Sequence, residues 1–334
     1  MKQKLVILTT SFGTNFSGGA KATCEVFSRI QDQFENITVL ATEIGDHRFQ
    51  NLKFIKVSNW VSTYRVIKKL KDNLTIFYGD FYNSFLLGLA KVPFVFTYHD
   101  NWPELSKLNM KSQVQSLFFS NMYYFIFKRA KVLITVSNFK KNTLEKYAKK
   151  VYLIPNGFNS ITHSIHKETQ VLNRVLMVGN IDDRKYNLAI KLFDYIQSQA
   201  KDPIPIDIYG HVVSKNLAKK LSEYPFVSLK SFAREVPYSS YKLLLHTSFS
   251  ESFGLVFCEA ISNKVPVLTF NVGGASEIIS AENGKMVKAY NIEDMYKVLK
   301  NMILNPMQVN TETVRSFSWD NTSANYKKLF KYVD

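Results

Sequence analysis

The sequence predicts an α/β protein made of two Rossmann-like domains, each with a doubly wound parallel sheet. The chain has 334 residues, more than a single hydrophobic core usually organises. Short runs rich in β-branched residues alternate with helix-like segments, the pattern of parallel strands joined by crossover helices. A polar interval at residues 157–170 interrupts this alternation, which then begins again. We therefore expect two α/β domains and a connector.

Seven strand-like runs precede the connector. In chain order they are KLVILTT, NITVLAT, LKFIKVS, LTIFYGD, VPFVFTYHD, KVLITVS and KVYLIPN. Helix-like segments lie between most of them. Because ligands of open parallel sheets bind beyond the carboxyl ends of the strands, the residues after each run are candidates for a site.

Five more runs follow the connector, and one helix ends the chain. The runs are RVLMVGN, IPIDIYG, VSLKSF, YKLLLHTS and VPVLTF. In the last segment, SWDNTSANYKKLFKYV, Asp320 or Asn321 can cap a helix that carries Tyr326, Leu329 and Tyr332 on one side.

Positive charge is concentrated in the first half. Residues 1–157 hold 22 Lys and Arg against 10 Asp and Glu, a net charge of +12, whereas the whole chain carries +16. Such a surplus suits an anionic lipid, a polyanionic acceptor or nucleic acid, and it can equally serve solubility alone. Cys24 and Cys258 show no paired spacing, which argues against a disulfide scaffold or a zinc site.

The N-terminus and the apolar runs bear on localisation. The runs are too short to cross a bilayer, and the N-terminal stretch MKQKLVILTTSF has no small-residue cleavage site. We therefore expect a cytoplasmic, non-spanning protein.

The segment LLLHTSFSESFGLVFCEAISN predicts a strand followed by a helix at the ligand edge of the second sheet. A helix that begins near Phe253 directs unpaired N–H groups and a partial positive charge outward, which suits a phosphate or diphosphate. Ser252, Phe253 and Gly254 can offer backbone N–H groups to it.

Glu251 and Glu259 flank this turn. Glu259 lies eight residues beyond Glu251, about two helical turns, so both can address one side of the helix. Carboxylates are good acceptors for vicinal hydroxyls, and a nucleotide sugar has such hydroxyls at both ends and a diphosphate between them. Alternatively, Glu259 lies on a solvated helix face and Glu251 is a loop acid.

A longer string around these acids resembles the donor-site signature of retaining glycosyltransferases of family 4. Its matching residues are Glu251, Phe253, Gly254, Glu259, Pro266, Gly273, Gly274, Glu277 and Gly284. The resemblance implies the glycosyltransferase-B fold, in which two Rossmann-like domains face each other across a cleft and a C-terminal helix crosses back to the first domain.

Further segments resemble the same family in order and spacing. SFGTNFSGGA, with Gly18 and Gly19, resembles its Gly-Gly loop, and FTYHD resembles the strand that ends in its crevice histidine, here His99. AKVLITVSNFKKNTL, LIPNGFN and FSWDNTSANY resemble its pre-crossover helix, hinge and closing helix. The implied domains are an acceptor domain of residues 1–157 plus 319–334, a linker at 158–172 and a donor domain at 173–318.

The expected phosphate clamp departs from the family pattern. Family members usually carry Gly-Arg after the first strand of the second domain and a Lys about six residues after that Gly. Gly179 and Lys185 match, but Asn180 stands where Arg is expected. Arg184 is near enough to supply the second cation, because a guanidinium binds a diphosphate bidentately. In the other interpretation, residues 182–184 form a solvated loop or a helix cap.

The resemblance implies transfer of a hexose-type sugar from a nucleoside diphosphate to a hydroxyl of a glycan, lipid-linked saccharide or glycoprotein, with retention of configuration. We favour a UDP-sugar donor and expect no metal or other cofactor, because cations, N–H groups and the helix dipole can stabilise the leaving diphosphate. Glu251 is expected to contact the sugar hydroxyls, Glu259 the ribose diol and His99 the sugar. The catalytic candidates are Glu251, His99, Lys185 and Arg184, and the donor-binding candidates are Gly18, Gly19, Asn180, Ser252, Phe253, Gly254, Leu255 and Glu259.

Other functions remain as alternatives. An oxidoreductase is disfavoured because GTNFSGG lacks the Gly-x-Gly-x-x-Gly spacing. A non-catalytic partner or scaffold of another glycosyltransferase would explain Asn180. Recognisable nucleic-acid-binding modules are absent from the sequence, and we expect no nucleic-acid partner.

Four patterns carry weaker hypotheses. His163 and His166 have a spacing seen in metal sites but lie in a polar connector, and His246 is expected in the core. The loop SFAREVP at 231–237 is expected near the nucleotide base. Phe119, Tyr123 and Phe127 predict a core-facing stripe or, with the basic residues after them, a face that meets an anionic membrane at its inner side.

Overall fold

A computed structural model gives the fold of the chain and describes residues 2–16, 18–148, 150–159 and 171–330. The backbone divides into two compact units. One comprises Met1–Gly157 with Phe317–Asp334, and the other comprises Phe158–Ser316. His163, His166 and Tyr332 lie outside the described residues.

The first unit contains a seven-stranded parallel sheet and a parallel pair of two-residue strands. Its strands are β1 (Gln3–Leu8), β2 (Ser11–Phe12), β3 (Phe34–Ala41), β4 (Glu43–Ile44), β5 (Leu52–Lys56), β6 (Thr75–Gly79), β7 (Phe94–Tyr98), β8 (Val132–Thr135) and β9 (Val151–Leu153). The large sheet has the order β5-β3-β1-β6-β7-β8-β9, and β2 pairs with β4. The order reverses between β1 and β6, which makes the sheet doubly wound.

The second unit contains a six-stranded parallel sheet. Its strands are β10 (Leu172–Val178), β11 (Ile206–Tyr209), β12 (Val227–Lys230), β13 (Tyr241–His246), β14 (Val267–Phe270) and β15 (Gly284–Val287). The order is β12-β11-β10-β13-β14-β15, so the winding reverses between β10 and β13. The predicted α/β class with two Rossmann-like sheets is confirmed. The three strands missing from the prediction are β2, β4 and β15.

Ten α-helices occur in the described part of the chain. The first unit has α1 (Gly19–Arg29), α2 (Trp60–Leu70), α3 (Phe85–Leu89), α4 (Met110–Arg129), α5 (Asn138–Leu144) and the last helix of the chain, α10 (Trp319–Phe330). The second unit has α6 (Asp183–Gln199), α7 (Lys215–Ser222), α8 (Leu255–Ser262) and α9 (Ile292–Leu304). Within the residues described, none of the helices combines the length and the hydropathy needed to span a bilayer.

The last helix packs against the first. Tyr326 and Phe330 contact the ring of Phe27 edge-on, and the hydroxyls of Tyr326 and Thr97 lie 2.7 Å apart. The helix begins at Trp319, two residues earlier than a cap at Asp320 would allow, and the Ser318 hydroxyl accepts a hydrogen bond from the Asn321 backbone N–H at 3.1 Å. The predicted capping by Asp320 or Asn321 is therefore wrong.

Candidate active site

Glu251 lies in the loop between β13 and α8, among basic side chains. One terminal nitrogen of Arg184 lies 3.5 Å from its Oε2, and the same nitrogen donates to the Ser248 hydroxyl at 2.9 Å and to the Ser250 carbonyl at 2.8 Å. Arg184 thus fixes the loop that carries the acid. The loop is also held by the backbone of α6, since the Phe249 N–H donates to the Arg184 carbonyl and the Thr247 hydroxyl to the Lys185 carbonyl.

The loop that contains Gly273 and Gly274, which follows β14, supports the backbone of Glu251. The Gly274 N–H donates to the Glu251 carbonyl at 2.9 Å. A Cβ on Gly273 would lie 1.8 Å from that carbonyl oxygen, and Gly273 has a φ of +59°, a left-handed conformation that favours glycine. Gly273 is needed because the two loops approach each other backbone to backbone.

Lys185 lies in the first turn of α6. Asp182 caps this helix by accepting a hydrogen bond from the Lys185 N–H at 3.0 Å, so the helix-cap interpretation holds for Asp182. The lysine side chain folds over Gly179, where a Cβ would lie 2.4 Å from Lys185 Nζ. The residue after β10 must therefore be small for the ammonium group to occupy this place.

The charges of this cluster depend on one another. Burial acts to raise the pKa of Glu251, but the charges of Arg184 and Lys185 outweigh it and hold that pKa below its usual value. Burial, followed by the charge of Arg184, lowers the pKa of Lys185. A largely buried carboxylate beside two cations is the kind of perturbed group that marks functional sites.

His246, expected only in the core, also contacts the acid. It ends β13, is buried, and stands edge-on to Phe257 with ring centroids 4.8 Å apart. Its Nε2 lies 3.6 Å from Glu251 Oε2, and its Nδ1 lies 3.4 Å from the Thr269 hydroxyl. Burial lowers its pKa to about 3, so the ring is neutral at physiological pH. The tautomer protonated on Nε2 turns an N–H towards Glu251.

The His246→Leu variant tests this burial through stability. As the pH is lowered from 6.5 to 4, the unfolded wild type takes up a proton on this histidine and the folded protein does not. The free energy of unfolding therefore decreases as the pH is lowered through that window. The leucine variant lacks that uptake, and we expect its denaturation midpoint in urea to fall less from pH 6.5 to pH 4. Parallel decreases in the two proteins would contradict a neutral, buried His246.

The turn and helix after Glu251 carry the other donor-binding candidates. Helix α8 begins at Leu255, two residues later than predicted, because Gly254 caps it in a left-handed conformation. Ser252, Phe253 and Gly254 are buried in the turn. Glu251 lies in the loop before the helix, so helical spacing alone does not fix its position relative to Glu259. Glu259 accepts a hydrogen bond from the buried Tyr238 hydroxyl at 2.8 Å, next to the predicted base loop at 231–237.

In the first unit the structure brings His99 and Gly19 together. His99 follows β7, and a Cβ on Gly19 would lie 3.1 Å from its ring. Both ring nitrogens are buried with no hydrogen-bond partner among the described residues, and burial lowers the pKa to about 4. Gly18 precedes Gly19 as the N-cap of α1. The predicted glycine loop and histidine thus form one small cluster.

The remaining candidates concern a metal and Asn180. No group of three or more His, Cys, Asp or Glu side chains in the described ranges is arranged to hold a metal ion. Asn180 directly follows Gly179, and its carbonyl accepts a hydrogen bond from the Asp182 N–H at 2.9 Å.

Known proteins share this architecture. The UDP-glucose complex of HepE from Anabaena superposes with a TM-score of 0.75 at 15% identity, covering 98% of this chain and 99% of that one. Sucrose-phosphate synthase from Thermosynechococcus elongatus gives 0.74 at 16% identity, with 98% of each chain covered. Both are similarities of fold, and this fold is the glycosyltransferase-B fold.

Sequence comparisons assign the family. The profile described as "Glycosyl transferases group 1" matches residues 161–317, and "Glycosyltransferase Family 4" matches residues 24–160. The chain belongs to glycosyltransferase family 4. The GtfA subunit of the UDP-N-acetylglucosamine–peptide N-acetylglucosaminyltransferase of Streptococcus parasanguinis is 30% identical over 104 residues, which are 29% of this chain and 21% of that protein. The match thus spans about a fifth of this curated relative.

Proposed function

We propose that this protein transfers a hexose-type sugar from a UDP-sugar to a hydroxyl of a glycan or glycoconjugate, with retention and without a metal ion. The observation that carries the proposal is the carboxylate of Glu251 held beside Arg184 and Lys185, directly before the N-terminus of α8. UDP-glucose is the ligand named for HepE, which supports a uridine nucleotide as donor.

Each candidate has a role that follows from its chemistry. Lys185 and the N-terminal N–H groups of α8 bind the diphosphate, whose negative charge grows as the anomeric C–O bond breaks. Glu251 accepts hydrogen bonds from hydroxyls of the transferred sugar. The acceptor oxygen forms the new bond to the anomeric carbon on the same face, and its proton leaves with the departing phosphate. The neutral imidazole of His99, packed beside Gly19, is suited to contact a hydroxyl of the sugar or the acceptor.

The ribose and base are assigned to the region around Glu259. The carboxylate of Glu259 accepts from Tyr238 and is suited to the ribose diol, as vicinal hydroxyls are good donors to a carboxylate. Phe232, in the loop before Tyr238, stacks on His211 with centroids 4.1 Å apart. This aromatic pair offers a flat apolar surface for a nucleobase.

Arg184 takes a different role from the one predicted for it. Its hydrogen bonds go to Ser248, to the Ser250 carbonyl and towards Glu251. We therefore assign Arg184 to positioning Glu251 and leave the diphosphate chiefly to Lys185 and the helix terminus.

A panel of nucleotide sugars tests the donor. In a thermal-shift assay the true donor, at a large multiple of its Kd, should stabilise the protein by about 2 to 4 kcal/mol. Donor hydrolysis or transfer should then be measurable with the same compound, and NMR of the product gives its anomeric configuration. Donor binding without any turnover would favour the non-catalytic partner instead. No binding by any nucleotide sugar would overturn the proposal.

Turnover is expected to persist in excess EDTA. Lys185 and the α8 terminus supply the positive charge that a divalent ion would otherwise provide to the leaving diphosphate. The rate should be compared before chelation, after chelation, and after adding back magnesium or manganese. Strict dependence on either ion would contradict metal independence.

A further inference from the structure

An exposed apolar surface lies on the first unit, on helices α2 and α4. On α4 an uninterrupted stripe at helical spacing faces solvent, with exposed fractions of 83% for Met110, 70% for Val114, 71% for Leu117 and 51% for Phe118. The predicted stripe of Phe119, Tyr123 and Phe127 points elsewhere: Tyr123 and Phe127 are buried and Phe119 packs against the core. The core interpretation of that stripe therefore holds, and the exposed stripe is a different one.

The start of α2 extends this surface. Trp60 and Val61 are exposed, at 47% and 63%. The Trp60 ring stacks on Phe118, with centroids 6.4 Å apart and planes inclined by 10°, and it stands edge-on to Phe85 at 5.0 Å. The two helices thus present one continuous patch. We call it the Trp60–Phe118 face, made of Trp60, Val61, Met110, Val114, Leu117 and Phe118.

The two chain segments that carry this face contain cations and no acids. Residues 47–71, which include α2, contain no Asp or Glu, and neither do residues 105–144, which include α4. Each stretch has seven Lys and Arg: Arg48, Lys53, Lys56, Arg65, Lys68, Lys69 and Lys71, then Lys107, Lys111, Lys128, Arg129, Lys131, Lys140 and Lys141. Lys140 is buried and pairs with Glu104, so it does not contribute to the surface charge. Those on the exposed sides of the helices include Arg65, Lys68, Lys69 and Lys111.

We propose that the Trp60–Phe118 face docks this protein on a bilayer that contains anionic lipids. Apolar side chains with a tryptophan can enter the boundary between headgroups and acyl chains, while lysines and arginines attract the lipid phosphates. Charge complementarity selects this occupant. In a dimer formed through this face, the cations of one copy would face the cations of the other, and their repulsion disfavours self-association. Docking is independent of the proposed transfer and needs no donor.

Tryptophan fluorescence can follow the docking directly. The chain has three tryptophans, and Trp102 and Trp319 are buried, so Trp60 is the one whose surroundings change when the face meets lipid. We expect vesicles of equal parts phosphatidylglycerol and phosphatidylcholine to shift the emission to shorter wavelength at physiological ionic strength, with a much smaller shift for phosphatidylcholine alone. The Trp60→Phe variant should still sediment with anionic vesicles but lose the shift.

Matched variants distinguish binding through the Trp60–Phe118 face from nonspecific binding to vesicles. Leu117→Gln combined with Phe118→Gln should weaken vesicle binding by about tenfold or more, whereas Val213→Gln with Leu304→Gln, two exposed apolar residues of the second unit, should leave it unchanged. Lys68→Glu with Lys69→Glu should weaken binding to anionic vesicles, and Lys219→Glu with Lys220→Glu on α7 should do so less.

Three results would overturn the proposal. They are absence of binding to anionic vesicles, equal binding by the Leu117 and Phe118 double variant, or a dimer in light scattering that this double variant abolishes. Because vesicle binding is measured without a nucleotide sugar, its failure leaves the proposed transfer untouched. Failure of donor binding likewise leaves the docking result intact.

Discussion

Glu251→Gln is expected to lower kcat for sugar transfer at least about 100-fold, in the range found when a preorganised polar contact to a transition state is lost. Glutamine keeps the shape of the side chain but removes the charge that faces Arg184 and Lys185, and its amide hydrogens cannot accept from a sugar hydroxyl. The measurement is the initial rate with the donor found by thermal shift, together with the donor's KM.

A surface acid provides the control for that variant. Glu293 on α9 is 58% exposed and pairs with Lys297 at 2.6 Å, and Glu293→Gln should leave both rate and folding unchanged. Glu251→Gln leaves two partly buried cations less well compensated, so a lower melting temperature is expected too. The rates are therefore compared at a temperature where both variants are folded. A Glu251→Gln rate within a few-fold of wild type would remove Glu251 from the mechanism.

The fold could be predicted from local pattern because buried parallel strands are short apolar runs between amphipathic helices. All twelve predicted runs overlap strands of the two large sheets. The strands that were missed have little local signal: β2 and β4 have two residues each, and β15 is the short run Gly284–Val287 with one β-branched residue. Their pairing is decided by neighbours in the sheet, such as β14 beside β15.

The composition of the site was partly predictable, but its contacts were not. Spacing and family resemblance identified Glu251 and Lys185, which lie 66 positions apart. Their proximity follows from sheet order, since β10 pairs with β13 across two intervening strands in sequence, and this pairing brings the start of α6 beside the loop after β13. His246 and Arg184 acquire their contacts with Glu251 in the same way. One local feature, the left-handed Gly254, places the start of α8 two residues later than predicted.

The second large expected effect concerns UDP binding, for which we assign different roles to Lys185 and Arg184. Lys185 is held at the start of α6 by the Asp182 cap, and its side chain lies over Gly179. Arg184 turns the other way, into the loop that carries Glu251. A diphosphate at this place would therefore meet the ammonium group of Lys185 first.

Lys185→Met should weaken UDP binding by about 10- to 100-fold, because a hydrogen bond to a charged group contributes about 1.5 to 3 kcal/mol, and should lower kcat/KM at least as much. Calorimetric titration with UDP measures the affinity. Lys191→Met, an exposed residue on the same helix, is the control and should bind UDP normally. Arg184→Met should lower kcat through a displaced Glu251 while UDP affinity changes much less. If Arg184→Met weakened UDP binding as strongly as Lys185→Met, both cations would bind the diphosphate, and the assignment of Arg184 to positioning would be wrong.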